Sequence, residues 1–125
     1  MPTLVDTSIW RRFFAGKAPA AEREKLGALL DGEEVVLTHS IVIGELVLGG
    51  LSARQEALMR RLPFAPSVVD DEVLLFVKHH ELMRKGIGWA DAHLLASVHL
   101  ASATLWSADE KLVKVAAALR VAFRG

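Results

Sequence analysis

The chain has 125 residues, which is enough for one domain with a single hydrophobic core. Its 15 basic and 15 acidic side chains give a formal net charge of zero, so any contact with nucleic acid must depend on a local basic patch and not on a basic tail. The chain has no cysteine, which excludes disulfides and thiolate metal sites and agrees with a reducing cytoplasm, where we expect the protein to act.

The apolar content of the chain predicts a partner. Hydrophobic residues make up 52% of the sequence, and a small domain cannot bury all of them, so we expect apolar surface to meet another protein or a second copy. No apolar run reaches the roughly 20 residues of a membrane span. The first residues, M-P-T-L-V-D, lack the basic and long apolar segments of a secretion signal. We therefore expect no membrane association.

The N-terminal half alternates β-prone runs with helical patterns. A strand over Thr3–Val5 is expected to deliver Asp6 at its end, with Thr7 or Ser8 capping the next helix. Helix signals and a second β-prone run then predict helices at Ile9–Ala15 and Ala20–Leu30, a strand at Val35–Thr38, and a helix at Ile41–Leu48. That last helix places Glu45 on an apolar face. A buried structural ion pair is the alternative explanation for such an acid.

The C-terminal half continues the alternation. Helices are predicted at Ser52–Leu62, Asp70–Lys85 and Leu112–Leu119, and strands at Phe64–Pro66, Ala103–Trp106 and Val121–Phe123. No linker or repeat interrupts the chain. The pattern predicts one α/β domain over residues 1–125, with a central, mainly parallel sheet of four to five strands flanked by helices.

The stretch Gly86–Val98, G-I-G-W-A-D-A-H-L-L-A-S-V, carries an acid at an improbable place. A helix opens after the glycines, and its apolar stripe at i, i+3, i+4 and i+7 consists of Asp91, Leu94, Leu95 and Val98. A carboxylate on a core-facing stripe costs free energy unless it is hydrogen-bonded, paired or bound to a cation. Stabilisation of the helix N-terminus is the simpler explanation.

Four acids are placed so that they can meet. Asp6 and Asp109 are expected where parallel strands end, Asp91 begins a helix, and Glu45 lies in a helix that follows a strand. Ligands bind at the carboxyl ends of such strands. Four clustered carboxylates require a divalent cation, and oxygen ligands suit Mg²⁺ or Mn²⁺. Hydrolysis of a phosphodiester is the natural use of this site. For Asp109, helix capping is the alternative.

Four motifs together resemble the PIN-domain ribonucleases, in particular the VapC-type toxins of toxin–antitoxin pairs. They are D-T-S-I-W at 6–10, I-G-E-L at 43–46, W-A-D-A-H-L-L-A at 89–96 and S-A-D-E-K-L at 107–112. The resemblance covers the whole chain in order and spacing. It implies a three-layer PIN fold and a Mg²⁺-dependent endoribonuclease that is often dimeric and is inhibited by a small antitoxin.

The same resemblance implies a role for each acid. Asp6 and Asp91 would be the principal metal ligands and Glu45 a third acid that helps to hold metal or water. Asp109 would be the fourth, although its S-A-D setting departs from the threonine-containing version usual in the family. The implied reaction is attack of water on RNA, leaving 3′-hydroxyl and 5′-phosphate ends. Further candidates are the hydrogen-bonding Thr7, Ser8 and Ser107, the RNA-binding Arg11, Arg12, Arg54 and Lys85, and, for base stacking or core packing, Trp10 and Trp89.

Two other functions remain open at this point. A phosphoryl-transfer domain could use Asp6 as its nucleophile, but the second acid that haloacid-dehalogenase-like phosphatases carry two residues later is Ser8 here. An inactive PIN-like binding module would have the fold without the reaction. The presence of all four acids argues against that loss of function.

Overall fold

Three short strands and seven helices make up the fold. The computed structural model describes residues 1–125. In chain order the elements are β1 (Thr3–Val5), α1 (Thr7–Phe14), α2 (Ala20–Asp31), β2 (Val36–Leu37), α3 (Ser40–Leu48), α4 (Ala53–Arg60), α5 (Asp70–His79), α6 (Trp89–Leu100), β3 (Thr104–Trp106) and α7 (Glu110–Ala118).

The strands form one parallel sheet in the order β2-β1-β3. Leu4 of β1 pairs with Leu37 on one side and with Leu105 on the other. The residues of β1 are buried, as expected for the central strand of a parallel sheet covered on both faces. Because all three strands run in the same direction, the segments that follow them leave the sheet at a single edge.

The sheet has three strands, whereas four to five were predicted. The two missing segments each make one parallel bridge, Phe64 with Thr38 and Ala122 with Leu105, without forming a strand. Phe64 lies between Pro63 and an Ala65-Pro66 pair. Proline has no N–H to donate to a neighbouring strand, so the pairing stops after one bridge.

Helix α5 is shorter than predicted: it ends at His79, whereas the sequence predicted an end at Lys85. Glu81 and Arg84 have φ values of 54° and 62°, in the left-handed region that cannot continue a right-handed helix. The basic residues expected to close the helix therefore lie in the loop between α5 and α6.

The core packs helices against both faces of the sheet. Side chains of β1, α1, α3, α6 and α7 form one buried cluster, and a smaller cluster of Val73, Ala92 and Ala96 joins α5 to α6. None of the seven helices combines the length and the apolar character needed to span a membrane.

Candidate active site

Asp6 lies directly after the central strand and is 5% exposed. It caps α1 itself, since its carboxylate accepts hydrogen bonds from the Ser8 backbone N–H at 3.0 Å and from the Ser8 hydroxyl. The prediction that Thr7 or Ser8 would cap this helix was therefore wrong by one or two residues. Burial raises the pKa of the Asp6 carboxyl, and the hydrogen bonds from Ser8 act in the opposite direction.

Ser8 connects the segments that follow β1 and β3. Its Oγ accepts a hydrogen bond from the Ala108 N–H at 3.0 Å, and it lies 3.5 Å from the Ser107 Oγ. The Ser107 Oγ in turn accepts from the Asp109 N–H at 3.0 Å. These contacts hold the Asp109 segment beside the Asp6 segment at the edge where both strands end.

Asp109 is exposed and caps α7. Its Oδ1 accepts hydrogen bonds from the N–H groups of Lys111 at 2.9 Å and Leu112 at 3.3 Å. The capping role that the sequence offered as an alternative is therefore present. A cap uses one carboxylate oxygen and does not prevent the other from acting at a site.

Glu45 is half-buried on α3, as its apolar neighbours predicted. Its Oε1 accepts a hydrogen bond from the Thr7 hydroxyl at 2.6 Å, which ties α3 to the first turn of α1. The structure contains no ion pair of Glu45, so the alternative of a structural ion pair was wrong.

Asp91 lies in the first turn of α6, at the head of a stripe whose other members, Leu94, Leu95 and Val98, are buried. Its Oδ2 accepts a hydrogen bond from the Gly88 N–H at 3.0 Å. Gly88 has no side chain to return a bond, so only half of a capping box is present. Burial raises the pKa of Asp91; the Gly88 N–H opposes this, and the negative charges of Asp109 and Glu45 add to it.

The four acids offer the ligand atoms of a magnesium site, but they are not spaced as such a site requires. All four offer oxygen, the ligand atom that Mg²⁺ prefers, and none forms an ion pair with a protein cation. However, no group of three or more acidic, histidine or cysteine side chains is gathered closely enough to hold a metal ion. Local donors hold one oxygen of each carboxylate, and like charges brought closer together would repel each other without a cation between them.

Other predicted residues are divided between core and surface. Trp10 is 3% exposed and stacks on Phe14, so it belongs to the core. Trp89 is 46% exposed at the start of α6 and has one edge against His93, which leaves it accessible to a base. Arg12 is engaged by Glu22 in an ion pair.

The backbone N–H of Gly88 was missed by the sequence reasoning. The signal was a glycine three residues before an acid, which is a helix-start pattern that lacks only the capping side chain.

Comparison with known proteins identifies the family of the chain in two independent ways, by a family model and by a relative of similar sequence. The model of the PIN domain family matches residues 3–118. Ribonuclease VapC32 from two strains of Mycobacterium tuberculosis, CDC 1551 / Oshkosh and H37Rv, is 38% identical over 112 residues, which covers 87% of this chain and 86% of the relative.

Two solved structures share the fold. VapBC2 from Rickettsia felis, bound to a DNA fragment from its promoter, has a TM-score of 0.65 at 20% identity, covering 91% of this chain and 92% of the other. FitAcB from Neisseria gonorrhoeae has a TM-score of 0.61 at 21% identity, covering 96% and 94%. The resemblance seen in the sequence motifs is confirmed, and the chain belongs to the PIN domain family.

Proposed function

We propose that the protein is a Mg²⁺-dependent endoribonuclease and the toxin of a type II toxin–antitoxin pair, acting in the cytoplasm as a single domain over residues 1–125. The 38% identity to a protein named as a ribonuclease supports the activity, and the VapBC2 neighbour supports the pairing with an antitoxin. The observation that carries the proposal is the hydrogen-bond network that ties three acid-bearing segments together, with Thr7 bound to Glu45 and Ser8 bound both to Asp6 and to the Ala108 N–H beside Asp109. No protein cation forms an ion pair with any of these acids.

In this proposal Asp6 and Asp91 hold the metal, and Glu45 and Asp109 complete the site. Ser8 and the Gly88 N–H fix the two metal-binding carboxylates, and Thr7 fixes the third acid. When bound, Mg²⁺ would polarise a phosphoryl oxygen and lower the pKa of water; Mn²⁺ offers the same chemistry. Glu45 helps to position the attacking water, and the products carry 3′-hydroxyl and 5′-phosphate ends.

The test replaces each acid by its amide. Asp6→Asn, Glu45→Gln and Asp91→Asn are each expected to lower RNA cleavage at least about 100-fold, which corresponds to about 3 kcal/mol of lost transition-state stabilisation. Asparagine remains a good helix cap, so Asp6→Asn should keep the fold. Cleavage of labelled RNA is measured with Mg²⁺ and with EDTA, and Asp109→Asn is assayed alongside.

The matched control is Glu24→Gln, which removes an exposed acid from α2 and should cleave like the wild type. Full activity in a folded Asp91→Asn variant would remove that residue from the site. Sequencing the 5′ ends of the products would also define the cleaved sequence.

An antitoxin can complete the charge balance of the site. We expect it to insert an arginine among the acids, because a guanidinium replaces the charge of the metal and can bridge carboxylates through two hydrogen bonds. The purified complex should then cleave RNA far more slowly than the free chain. Equal rates would show that the antitoxin leaves the acids accessible.

The open spacing of the acids favours one competing function, an RNA-binding module without catalysis. Such a module would bind RNA equally well with Mg²⁺ or EDTA and would release no fragments. Magnesium-dependent cleavage by the purified wild type, lost in Asp91→Asn, would exclude it.

A further inference from the structure

A groove of about 780 Å³ lies between the α5–α6 loop and α7. Four cations line it, Arg84 and Lys85 from the loop and Lys111 and Lys114 from the helix, together with a single acid, Glu81. Leu82 and Val115 add buried apolar surface to the lining. The groove therefore combines strong positive charge with an apolar floor.

The single acid of the groove, Glu81, leaves an excess of positive charge. None of its four cations takes part in an ion pair, although other basic residues of the chain do. The chain as a whole has no net charge, so this cluster is a local excess. Like charges lined along one groove repel each other, and an anionic ligand would relieve that repulsion.

The groove adjoins the acids of the proposed active site. The backbone N–H of Lys111 donates to the Oδ1 of Asp109, so groove and acid share the first turn of α7. On the other wall, a Cβ built on Gly86 would lie 2.6 Å from the Lys111 Cδ, so the lysine side chain lies across this glycine. Two residues later the Gly88 N–H holds Asp91.

This arrangement answers an electrostatic problem of the proposed reaction. Four ionised carboxylates outweigh the charge of one Mg²⁺, so the site still opposes the approach of a phosphodiester. Part of the binding free energy must therefore come from parts of the substrate that do not react. Phosphates that flank the cleaved bond are the nearest such parts, and lysine and arginine bind them without reading the base.

We propose that Arg84, Lys85, Lys111 and Lys114 bind the phosphate backbone of single-stranded RNA beside the acids. This inference depends on the proposed ribonuclease function for the identity of its ligand. It assigns substrate binding largely to the α5–α6 loop and α7, and not to the arginines of α1.

The experiment measures binding separately from cleavage. A fluorescently labelled oligoribonucleotide is titrated with protein in EDTA, at several salt concentrations, and anisotropy gives the affinity. The groove variants are the pairs Arg84→Gln/Lys85→Gln and Lys111→Gln/Lys114→Gln. The matched control, Lys17→Gln/Arg23→Gln, removes the same charge from exposed side chains that have no ion pair and do not line the groove.

Each groove pair should weaken binding about tenfold or more, and the control pair less than about threefold. The slope of log affinity against log salt should become shallower by about 1.4 for two lost phosphate contacts, at roughly 0.7 per contact. In Mg²⁺ the groove pairs should raise KM more than they lower kcat.

The possible failures are distinguishable. If wild type binds and cleaves RNA but both groove pairs behave like the control, the groove is not the binding surface and the ribonuclease proposal stands. If wild type neither binds nor cleaves RNA, both proposals are wrong. Because Lys111 packs on Gly86, thermal melts accompany each variant, and the Arg84/Lys85 pair gives an independent answer if the α7 pair is unstable.

Discussion

At the scale of single residues, the ionised form of Asp91 is stabilised by one hydrogen-bond donor and destabilised by two nearby negative charges. The Gly88 N–H stabilises its ionised form, whereas burial and the nearby Asp109 and Glu45 raise its pKa. A carboxyl with a raised pKa binds its proton more tightly in the folded chain than in the unfolded one. The ionised form therefore makes the metal-free protein less stable.

This balance predicts a dependence of stability on pH. Without metal, the free energy of unfolding should fall as the pH rises from about 4, the ordinary aspartate value, through the higher pKa of the folded state. The Asp6 carboxyl, whose pKa burial also raises, should contribute in the same direction. Asp91→Asn keeps an acceptor for Gly88 without the charge, so it should melt at a higher temperature than wild type in EDTA at pH 7.

Magnesium should reverse that order. At about 100 times its dissociation constant, a ligand stabilises the folded state by about 2.7 kcal/mol, and Asp91→Asn should gain much less than wild type. Thermal melts of both proteins in EDTA and in Mg²⁺ make the measurement. If the variant is the less stable protein in EDTA and Mg²⁺ shifts both equally, Asp91 only stabilises its helix.

The sequence predicted local roles better than distances. It identified Thr7, Ser8 and Ser107 as hydrogen-bonding partners, and the structure places Thr7 on Glu45 and Ser8 on Asp6, with Ser107 accepting from the Asp109 N–H. These pairings follow from residues that lie next to the acids in the motifs or on adjoining elements. The spacing between carboxylates on four different elements depends on the packing of the whole chain, and no sequence periodicity reports it.

At the scale of elements, the periodic helices and the parallel β1, β2 and β3 were predictable, and the ends of elements were not. Helix α5 was predicted to be too long because Arg84 and Lys85 resemble the basic last turn that suits a helix dipole. The left-handed φ values of Glu81 and Arg84 are incompatible with such a last turn, and neither residue type signals a left-handed φ in the sequence. The basic groove follows from this turn, since it brings a loop against a helix about 30 residues later in the chain.

Two substitutions in this loop separate strain from charge. Arg84→Gly removes the backbone strain of an arginine with a left-handed φ, but glycine also raises the entropy of the unfolded chain, and the two effects nearly cancel. The melting temperature of this variant should therefore stay close to that of wild type, while RNA binding weakens because a positive charge is lost. Gly86→Ala puts a Cβ on a residue with φ 81° and against Lys111, and should lose about 1 kcal/mol, or about 4 °C. Equal destabilisation in the two variants would mean that the loop depends on the Arg84 side chain.

At the scale of the whole molecule, the zero net charge is the sum of an acidic region and a separate basic region. Asp6 and Asp109 follow β1 and β3 at one end of the sheet, and four cations that form no ion pair line the groove next to Asp109. Composition alone predicted that any nucleic-acid contact would be local, and the groove is the surface where we propose that contact. The location of the cations could not be predicted, because the sequence gives their number and not their neighbours.

The exposed apolar surface predicts a homodimer of the isolated chain. On α3 the side chain of Leu48 is 90% exposed, whereas Trp10 of α1 is buried. Leu75 of α5 is 67% exposed. Burying a leucine contributes about 1.5–3 kcal/mol, so these side chains favour a partner surface, and a stable dimer needs further contacts around them to offset the loss of translational and rotational freedom.

Light scattering on the antitoxin-free chain should therefore give twice the monomer mass of 13.6 kDa at high micromolar concentration. Leu48→Glu and Leu75→Glu test the two exposed faces in parallel, because a charge buried in an interface without a partner dissociates it. We expect at least one of them to yield monomers with an unchanged melting temperature. A wild type that remains strictly monomeric would contradict the dimer and would leave the exposed leucines to the antitoxin alone.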